Sequence, residues 1–375
     1  MAGIYIHIPF CRQKCYYCDF YKTVNTSLLN DFIKALRAEI LLQENYFEGE
    51  QVGTIYFGGG TPSVLTKHDI TEITGFLQEV FAISPGCEIT FEANPDDLTP
   101  NYLADLYSAG IRRLSIGIQS FDDALLKKMN RRHNAIQAVE AIKNAAAAGF
   151  SDISADLIYG LPGLTKSGWK ASLETVFSLP VTHLSAYHLT YHEGTPFYTW
   201  LKKGTLKPAT EPTSIAHFEA LVKMAAENGF EHYEISNFAK NGLYSKHNSS
   251  YWTGKKYLGL GPSAHSFNGF SRRWNVSHTE KYIHSLQQNQ LCFEEEILSE
   301  ENRFNEYILT GIRTKWGIST AEIQNRFGPE KAAYFQQNME KYLDRKLAVK
   351  TGEIYTLTQQ GWFVSDEITA NLMFI

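Results

Sequence analysis

The sequence predicts an α/β fold: a partial, open (β/α)6 barrel followed by a small winged-helix-like module at the C-terminus. Three observations carry this. Over the first ~190 residues, six β-branched runs are each followed by a stretch of helical periodicity, the order that builds a parallel sheet. The alternation stops after six units, short of the ~250 residues of a closed eight-unit barrel, so an open barrel is preferred over a doubly wound sheet. Finally, the last 75 residues read as three helices and a short hairpin.

The strands are expected at 4–8, 54–57, 88–92, 114–118, 153–158 and 183–189. Helical patterns lie at 26–43, 67–81, 100–109, 122–129, 135–148 and 167–177. Glu92, Gln119, Asp156 and His188 each interrupt an apolar run at or just past its end, the face on which barrel active sites are built. Beyond residue 190 the pattern changes. Residues 195–212 read as a connecting loop, 212–228 as a helix, and 233–274 as a long loop rich in Gly, Asn, Ser, Tyr and Trp. The C-terminal helices are placed at 302–314, 320–327 and 330–344, with the hairpin turning at Thr351-Gly352. The expected units are therefore a barrel over 1–230, an irregular loop-rich extension over 231–295, and the module over 296–375.

Composition is that of an ordinary globular chain: hydrophobic residues make up 43%, which excludes global disorder. The formal charge of −5 argues against a general nucleic-acid or anionic-membrane binder. A winged helix often binds DNA, but residues 301–375 carry nine Lys/Arg and nine Asp/Glu, so the module lacks a basic footprint. It is read as a lid or docking module, with no nucleic-acid partner. No apolar run approaches the ~18 residues of a membrane span, and MAGIYIHIPF lacks the layout of a secretory signal, so a cytoplasmic location is expected.

Of five cysteines, Cys11, Cys15 and Cys18 crowd into a C-x3-C-x2-C array directly after the first strand. In a reducing compartment such an array is metal-binding or catalytic before it is a disulfide. A structural zinc site needs four ligands, and there is no second Cys pair; Cys87 and Cys292 are isolated and read as buried thiols. Thiolates are the usual ligands of iron–sulfur clusters, and three of them on a four-iron cluster leave one iron open. The run Gly58-Gly59-Gly60-Thr61-Pro62 after the second strand lets backbone approach a ligand closely.

This cysteine spacing in the first strand-to-helix loop, with the glycine run after the second strand, resembles the radical SAM superfamily. The resemblance implies a [4Fe–4S] cluster whose open iron chelates S-adenosylmethionine (SAM), and an electron donor that reduces the cluster so that SAM is cleaved reductively. Tyr5–Cys11, Gly58–Pro62, Phe91–Pro95, Ser115–Phe121, Asp156–Pro162 and Gly259–His265 further resemble, in order, the oxygen-independent coproporphyrinogen oxidase-like family over nearly the whole chain. Carried over by that resemblance, the SAM contacts are Tyr5, Tyr17, Gly59, Gly60, Thr61, Glu92, Gln119, Arg131, Asp156 and Thr190.

The chain departs from the oxidase branch of that family. The oxidases place a further cysteine two residues past the third, where this chain has Phe20, and they carry a longer arm before the cluster motif, whereas Cys11 lies close to the start here. The other branch, haem chaperones, has the signature H-N-x-x-Y-W, found here as His247-Asn248-Ser-Ser-Tyr251-Trp252. The resemblance implies haem as cargo, with His247 as an exposed axial ligand, Tyr251 and Trp252 flanking the macrocycle, and an acceptor haemoprotein as partner. Any peripheral membrane contact would run through that acceptor. The alternatives are oxidative decarboxylation of coproporphyrinogen and another radical SAM reaction.

Overall fold

The structure is a computed structural model describing residues 1–374. The six expected strands are β1 (Ala2–Ile8), β2 (Val52–Gly59), β3 (Ile83–Ala93), β4 (Arg113–Gln119), β5 (Asp152–Tyr159) and β6 (His183–His188). Each pairs in parallel with the next. The helices between them are α1 (Leu29–Leu42), α2 (Lys67–Val80), α3 (Pro100–Ser108), α4 (Asp123–Lys128), α5 (Ala135–Ala147) and α6 (Lys166–Phe177). Their starts are set by the chain: Thr66 with Asp69 and Asn134 with Gln137 form capping boxes, and Thr99 caps a helix opening on Pro100.

The six strands do not close on themselves. The free edge of β1 pairs in parallel with β9 (Tyr257–Leu260), and the free edge of β6 pairs antiparallel with β8 (Asn237–Ala239). The open barrel expected from the sequence is therefore present, enlarged to a sheet of twelve strands.

Strand alternation positions the site. Successive side chains point to opposite faces. In β1, Ile4, Ile6 and Ile8 are fully buried beneath the helical layer, which sends Tyr5 and His7 into the barrel interior. In β3, Phe91 and Ala93 pack outward and Glu92 points in; in β5, Ala155 and Leu157 pack outward and Asp156 points in. Asp156 lies within its strand, three residues before the end, and not at the tip as expected.

Two regions differ from expectation. Residues 196–202 form α7 (Pro196–Lys202), opened by Pro196 and capped by Thr195, and α8 (Glu211–Glu227) follows. The stretch expected as loop over 231–295 is instead largely strand and helix. It holds β7 (Glu231–Glu234), β8, α9 (Lys246–Trp252), β9, β10 (His265–Phe267), β11 (Ser271–Asn275), α10 (Thr279–Gln287) and β12 (Phe293–Ile297), all of these strands joining the main sheet. Strands of three to five residues are too short to show alternation, and buried polar groups such as Asn237 and Ser266 interrupt what little there is. Phe238, Leu258, Leu260, Tyr282 and Leu286 share the barrel's core. The buried Glu39 of α1 ties this region down: its carboxylate accepts from the Gly261 amide (2.8 Å), Asn275 Nδ2 (2.6 Å) and the Tyr282 hydroxyl (2.6 Å).

The C-terminal module has its own core around Phe304, Phe335, Met339 and Ile368. It runs α11 (Glu300–Gly311), β13 (Ile318–Ser319), α12 (Thr320–Asp344), β14 (Ala348–Thr351), β15 (Ile354–Leu357), α13 (Gln359–Phe363) and α14 (Ser365–Leu372). The helix α12 breaks at Gly328-Pro329, where Gly328 takes φ +89°, so the two helices expected there are two arms of one kinked element. Among the described residues, no helix is long and apolar enough to cross a membrane.

Candidate functional site

Two adjoining cavities open on the C-terminal face of the barrel. The first, about 430 Å³, is lined by Cys11, Cys15 and Cys18 together with Tyr17, Gly59, Gly60, Thr61, Glu92, Gln119, Arg131, Asp156 and Thr190. Of the proposed SAM contacts only Tyr5 lies elsewhere, in the second cavity, with its hydroxyl 3.2 Å from His7 Nδ1. The second cavity, about 800 Å³, lies between the barrel mouth, the 231–295 segment and the C-terminal module; His247, Asn248, Tyr251 and Trp252 line it. Asp19, Phe20, Tyr56, Glu92, Tyr187 and Asn248 line both, so this strip separates the two spaces. Phe20, standing where the oxidases have their extra cysteine, is on the strip and is 62% exposed.

At the mouth of the first cavity, Thr61 Oγ1 donates to Cys11 Sγ (3.2 Å) and Arg131 Nη1 donates to Cys15 Sγ (3.3 Å). Burial raises the pKa of Cys11 and Cys18; Lys22 works against this at Cys18, the larger opposing charge there. Among the described residues, no three His, Cys, Asp or Glu side chains converge as a site for one metal ion. His7 does not join the cysteines: its Nε2 is 2.9 Å from the Tyr21 carbonyl. A donor set of three separated thiols, with an arginine and a hydroxyl directed at two of them, fits a multinuclear iron–sulfur cluster better than a single zinc. Cys87 and Cys292, read as buried thiols, are half-buried and unpaired.

The first cavity is lined by two half-buried carboxylates. Glu92 accepts from the Tyr56 hydroxyl (2.7 Å); burial pushes its pKa up to about 7, opposed by that bond. Asp156 accepts from Ser115 Oγ (3.0 Å) and Ser154 Oγ (3.2 Å); burial pushes it up to about 6. Such groups favour a cationic or hydroxyl-rich ligand that compensates their desolvation. Arg131 is more committed than expected: Nη2 donates to Asn94 Oδ1 (2.6 Å) and the Gly117 carbonyl (2.7 Å), while the buried Nε has no partner. Gln119 sits at φ 66°, just past a register shift between β4 and β5, which turns its side chain into the cavity. The glycine run is needed for packing as much as for any ligand. A Cβ on Gly59 (φ +103°) would meet the His7 ring at 2.6 Å, and one on Gly60 the Ile8 carbonyl at 2.7 Å.

The expectation of His247 as an exposed loop ligand is corrected. It lies in α9 and is fully buried. Its Nδ1 shares a hydrogen bond with Thr54 Oγ1 (2.8 Å) and its Nε2 with the Tyr251 hydroxyl (2.7 Å). Its ring stacks on Tyr56, and burial drives its pKa down to about 3, keeping the imidazole neutral. The physical reason is the helix: an i, i+4 spacing brings Tyr251 back onto His247. Trp252 faces the Arg313 guanidinium, 5.2 Å from its ring centroid. Sequence reasoning missed Tyr56, which anchors Glu92, and Arg313, which reaches across from the module.

An open parallel barrel with three cysteines in its first βα loop and inward carboxylates on its third and fifth strands defines a radical SAM protein. The model of the Radical SAM superfamily matches residues 5–176, and that of the HemN C-terminal domain matches residues 298–364. The chain is 32% identical to the heme chaperone HemW of Lactococcus lactis over 97% of this chain and 95% of that protein. It is likewise 32% identical to HemW of Bacillus subtilis, over 98% of both. The chain belongs to the HemW family of radical SAM proteins. The solved structure of coproporphyrinogen III oxidase HemN from Escherichia coli shares the fold, with a TM-score of 0.86 at 22% identity over 99% of this chain and 90% of that one. Membership of the superfamily implies a [4Fe–4S] cluster and SAM.

Proposed function

We propose that the protein is a haem chaperone, binding haem in the second cavity and passing it to an acceptor haemoprotein. One observation carries the reading: an aromatic cavity of about 800 Å³, walled by the 247–252 run, adjoins the first cavity without coinciding with it. Its size suits a large organic ligand, within the ~300–1,000 Å³ of ordinary pockets. Curated relatives of the same length that carry the name heme chaperone support the same reading.

In this reading Cys11, Cys15 and Cys18 hold three irons of a [4Fe–4S] cluster. Gly59, Gly60, Thr61, Glu92, Gln119, Arg131, Asp156 and Thr190 surround SAM, with Tyr17 against its adenine. When bound, cluster and SAM supply reductive cleavage of a sulfonium, drawing on a separate electron donor. Arg131 fixes the cluster loop through Cys15, and Glu92 and Asp156 offset positive charge. The three segments then have distinct tasks: 1–230 as scaffold, 231–295 as the haem-facing wall, and 296–375 as the cover. His247 becomes an iron ligand only if its bond to Tyr251 opens. A cytoplasmic setting completes the reading, with any membrane contact made through the acceptor.

The test is anaerobic reconstitution with iron and sulfide, followed by separate titrations with haem and coproporphyrinogen. A haem-dependent Soret band, transferable to an apo-haemoprotein, is expected, with coproporphyrinogen unchanged. Conversion of coproporphyrinogen without haem binding would overturn the reading in favour of an oxidase.

A further inference from the structure

We propose that His265 is the haem-iron ligand of the second cavity, and that Arg303 and Arg313 pair with the haem propionates. This rests on the haem-carrier reading above and assigns three residues outside the 247–252 run.

Three histidines line the cavity: His7, His247 and His265. His7 is held at Nδ1 by the Tyr5 hydroxyl and at Nε2 by the Tyr21 carbonyl. His247 is held at both nitrogens by Thr54 and Tyr251. His265 alone is exposed, and among the described residues no hydrogen bond engages its ring. Its backbone is nevertheless fixed. It opens β10, pairs with Trp274 of β11, and presses so closely on Gly259 that a Cβ there would stand 2.1 Å from the His265 carbonyl oxygen. A free imidazole on an immobile strand is the arrangement that iron ligation asks for.

The charges point the same way. Four arginines line the cavity. Two are neutralised: Arg272 Nε lies 2.9 Å from Glu306 Oε1, and Arg326 Nη1 donates to Glu322 Oε1 at 3.0 Å. Arg303 and Arg313 have no carboxylate within ion-pair distance among the described residues, and the buried Nε of each lacks a partner. Glu234, which feels the charge of Arg313, is already bound by the Ser236 amide (3.0 Å) and by Asn237. Each guanidinium lies over an aromatic ring, Arg303 over Phe270 and Arg313 over Trp252. Two half-buried guanidinia without a carboxylate partner, beside aromatic surface, call for a flat apolar ligand carrying two carboxylates on one edge, which is the chemistry of haem. The imidazole comes from the barrel sheet and both guanidinia from the module, so the cargo would bridge the two cores.

The experiment titrates the reconstituted full chain and its variants with ferric haem and with haem dimethyl ester, whose propionates carry no charge. His265→Ala should alter the haem spectrum and weaken binding about tenfold or more, and added imidazole should restore the spectrum. Arg303→Gln with Arg313→Gln should weaken haem binding about tenfold while leaving the ester unaffected. If His265→Ala keeps the wild-type spectrum and affinity while His247→Ala loses them, the ligand is His247, and this proposal fails while the carrier reading stands. Equal loss of haem and ester in the arginine pair overturns the propionate assignment. Wild-type protein that takes up no haem removes the carrier reading itself.

Discussion

The two cavities share a rim but are built in opposite ways. The first is made by neighbouring parallel strands that deliver inward residues by simple alternation, among them Tyr56 of β2, Glu92 of β3, Ser115 of β4 and Asp156 of β5. The second is assembled from pieces far apart in sequence: Tyr5 of β1, the short helix α9, the hairpin strand β10 and the module helix α11. The first lies in a continuous sheet, where Glu92 and Asp156 are held by Tyr56, Ser115 and Ser154. The second meets a separately packed core, of which Arg303 and Arg313 have no carboxylate partner among the described residues. A cavity of the first kind suits a cofactor that stays in register with the chemistry, whereas one of the second kind suits a ligand that enters and leaves.

The largest effect should follow from the cysteines. Alanine at Cys11, Cys15 or Cys18 should abolish the cluster absorbance after anaerobic reconstitution, while the fold, read by circular dichroism, persists. A full cluster in the triple variant would refute the assignment. Next, Asp156→Asn removes charge at nearly constant volume; calorimetry on the cluster-loaded protein should show SAM binding at least about tenfold weaker. Haem affinity in that variant should stay at the wild-type level, since Asp156 lines only the first cavity; parallel losses would erase the separation of the two spaces.

Two smaller effects probe the second cavity's supports. Tyr251→Phe strips the partner from a buried imidazole nitrogen and should cost about 1–3 kcal/mol in denaturant unfolding. No loss of stability would mean that His247 finds another partner there. Glu39→Gln tests the lock beneath the 231–295 segment through pH. Burial raises the Glu39 pKa from 4.5 to about 7, opposed by the bonds from Tyr282, Gly261 and Asn275. The folded state therefore holds that proton more tightly than the unfolded chain, and this contribution is present below about 4.5 and lost as pH rises towards about 7. Relative to the Gln variant, the wild type should lose on the order of 3 kcal/mol across that window. Parallel pH curves for the two proteins would contradict the assignment.

Legibility followed the same division. Glu92 and Asp156 stood out because a carboxylate breaks an apolar strand, and the cysteine array announced itself by spacing. Arg131 came only through resemblance, since an arginine between two helices carries no pattern of its own. The motif singles out His247 but not its setting, because a seven-residue helix closing Tyr251 onto the ring gives no periodic signal. Arg303 and Arg313 were hidden by averaging: a module with as many acids as bases has zero net charge whatever faces the cavity. The segment Gly259–His265 carries a family likeness, yet nothing in its sequence tells that, among the described residues, His265 is the unheld imidazole of the second cavity.

The most direct measurement is a haem titration of the cluster-loaded protein with and without saturating SAM, followed by absorbance and calorimetry together. Separate adjoining cavities predict that both ligands bind at once, with the haem spectrum and affinity little changed by SAM. Mutual exclusion of haem and SAM, or no haem uptake in either condition, would contradict the two-cavity arrangement.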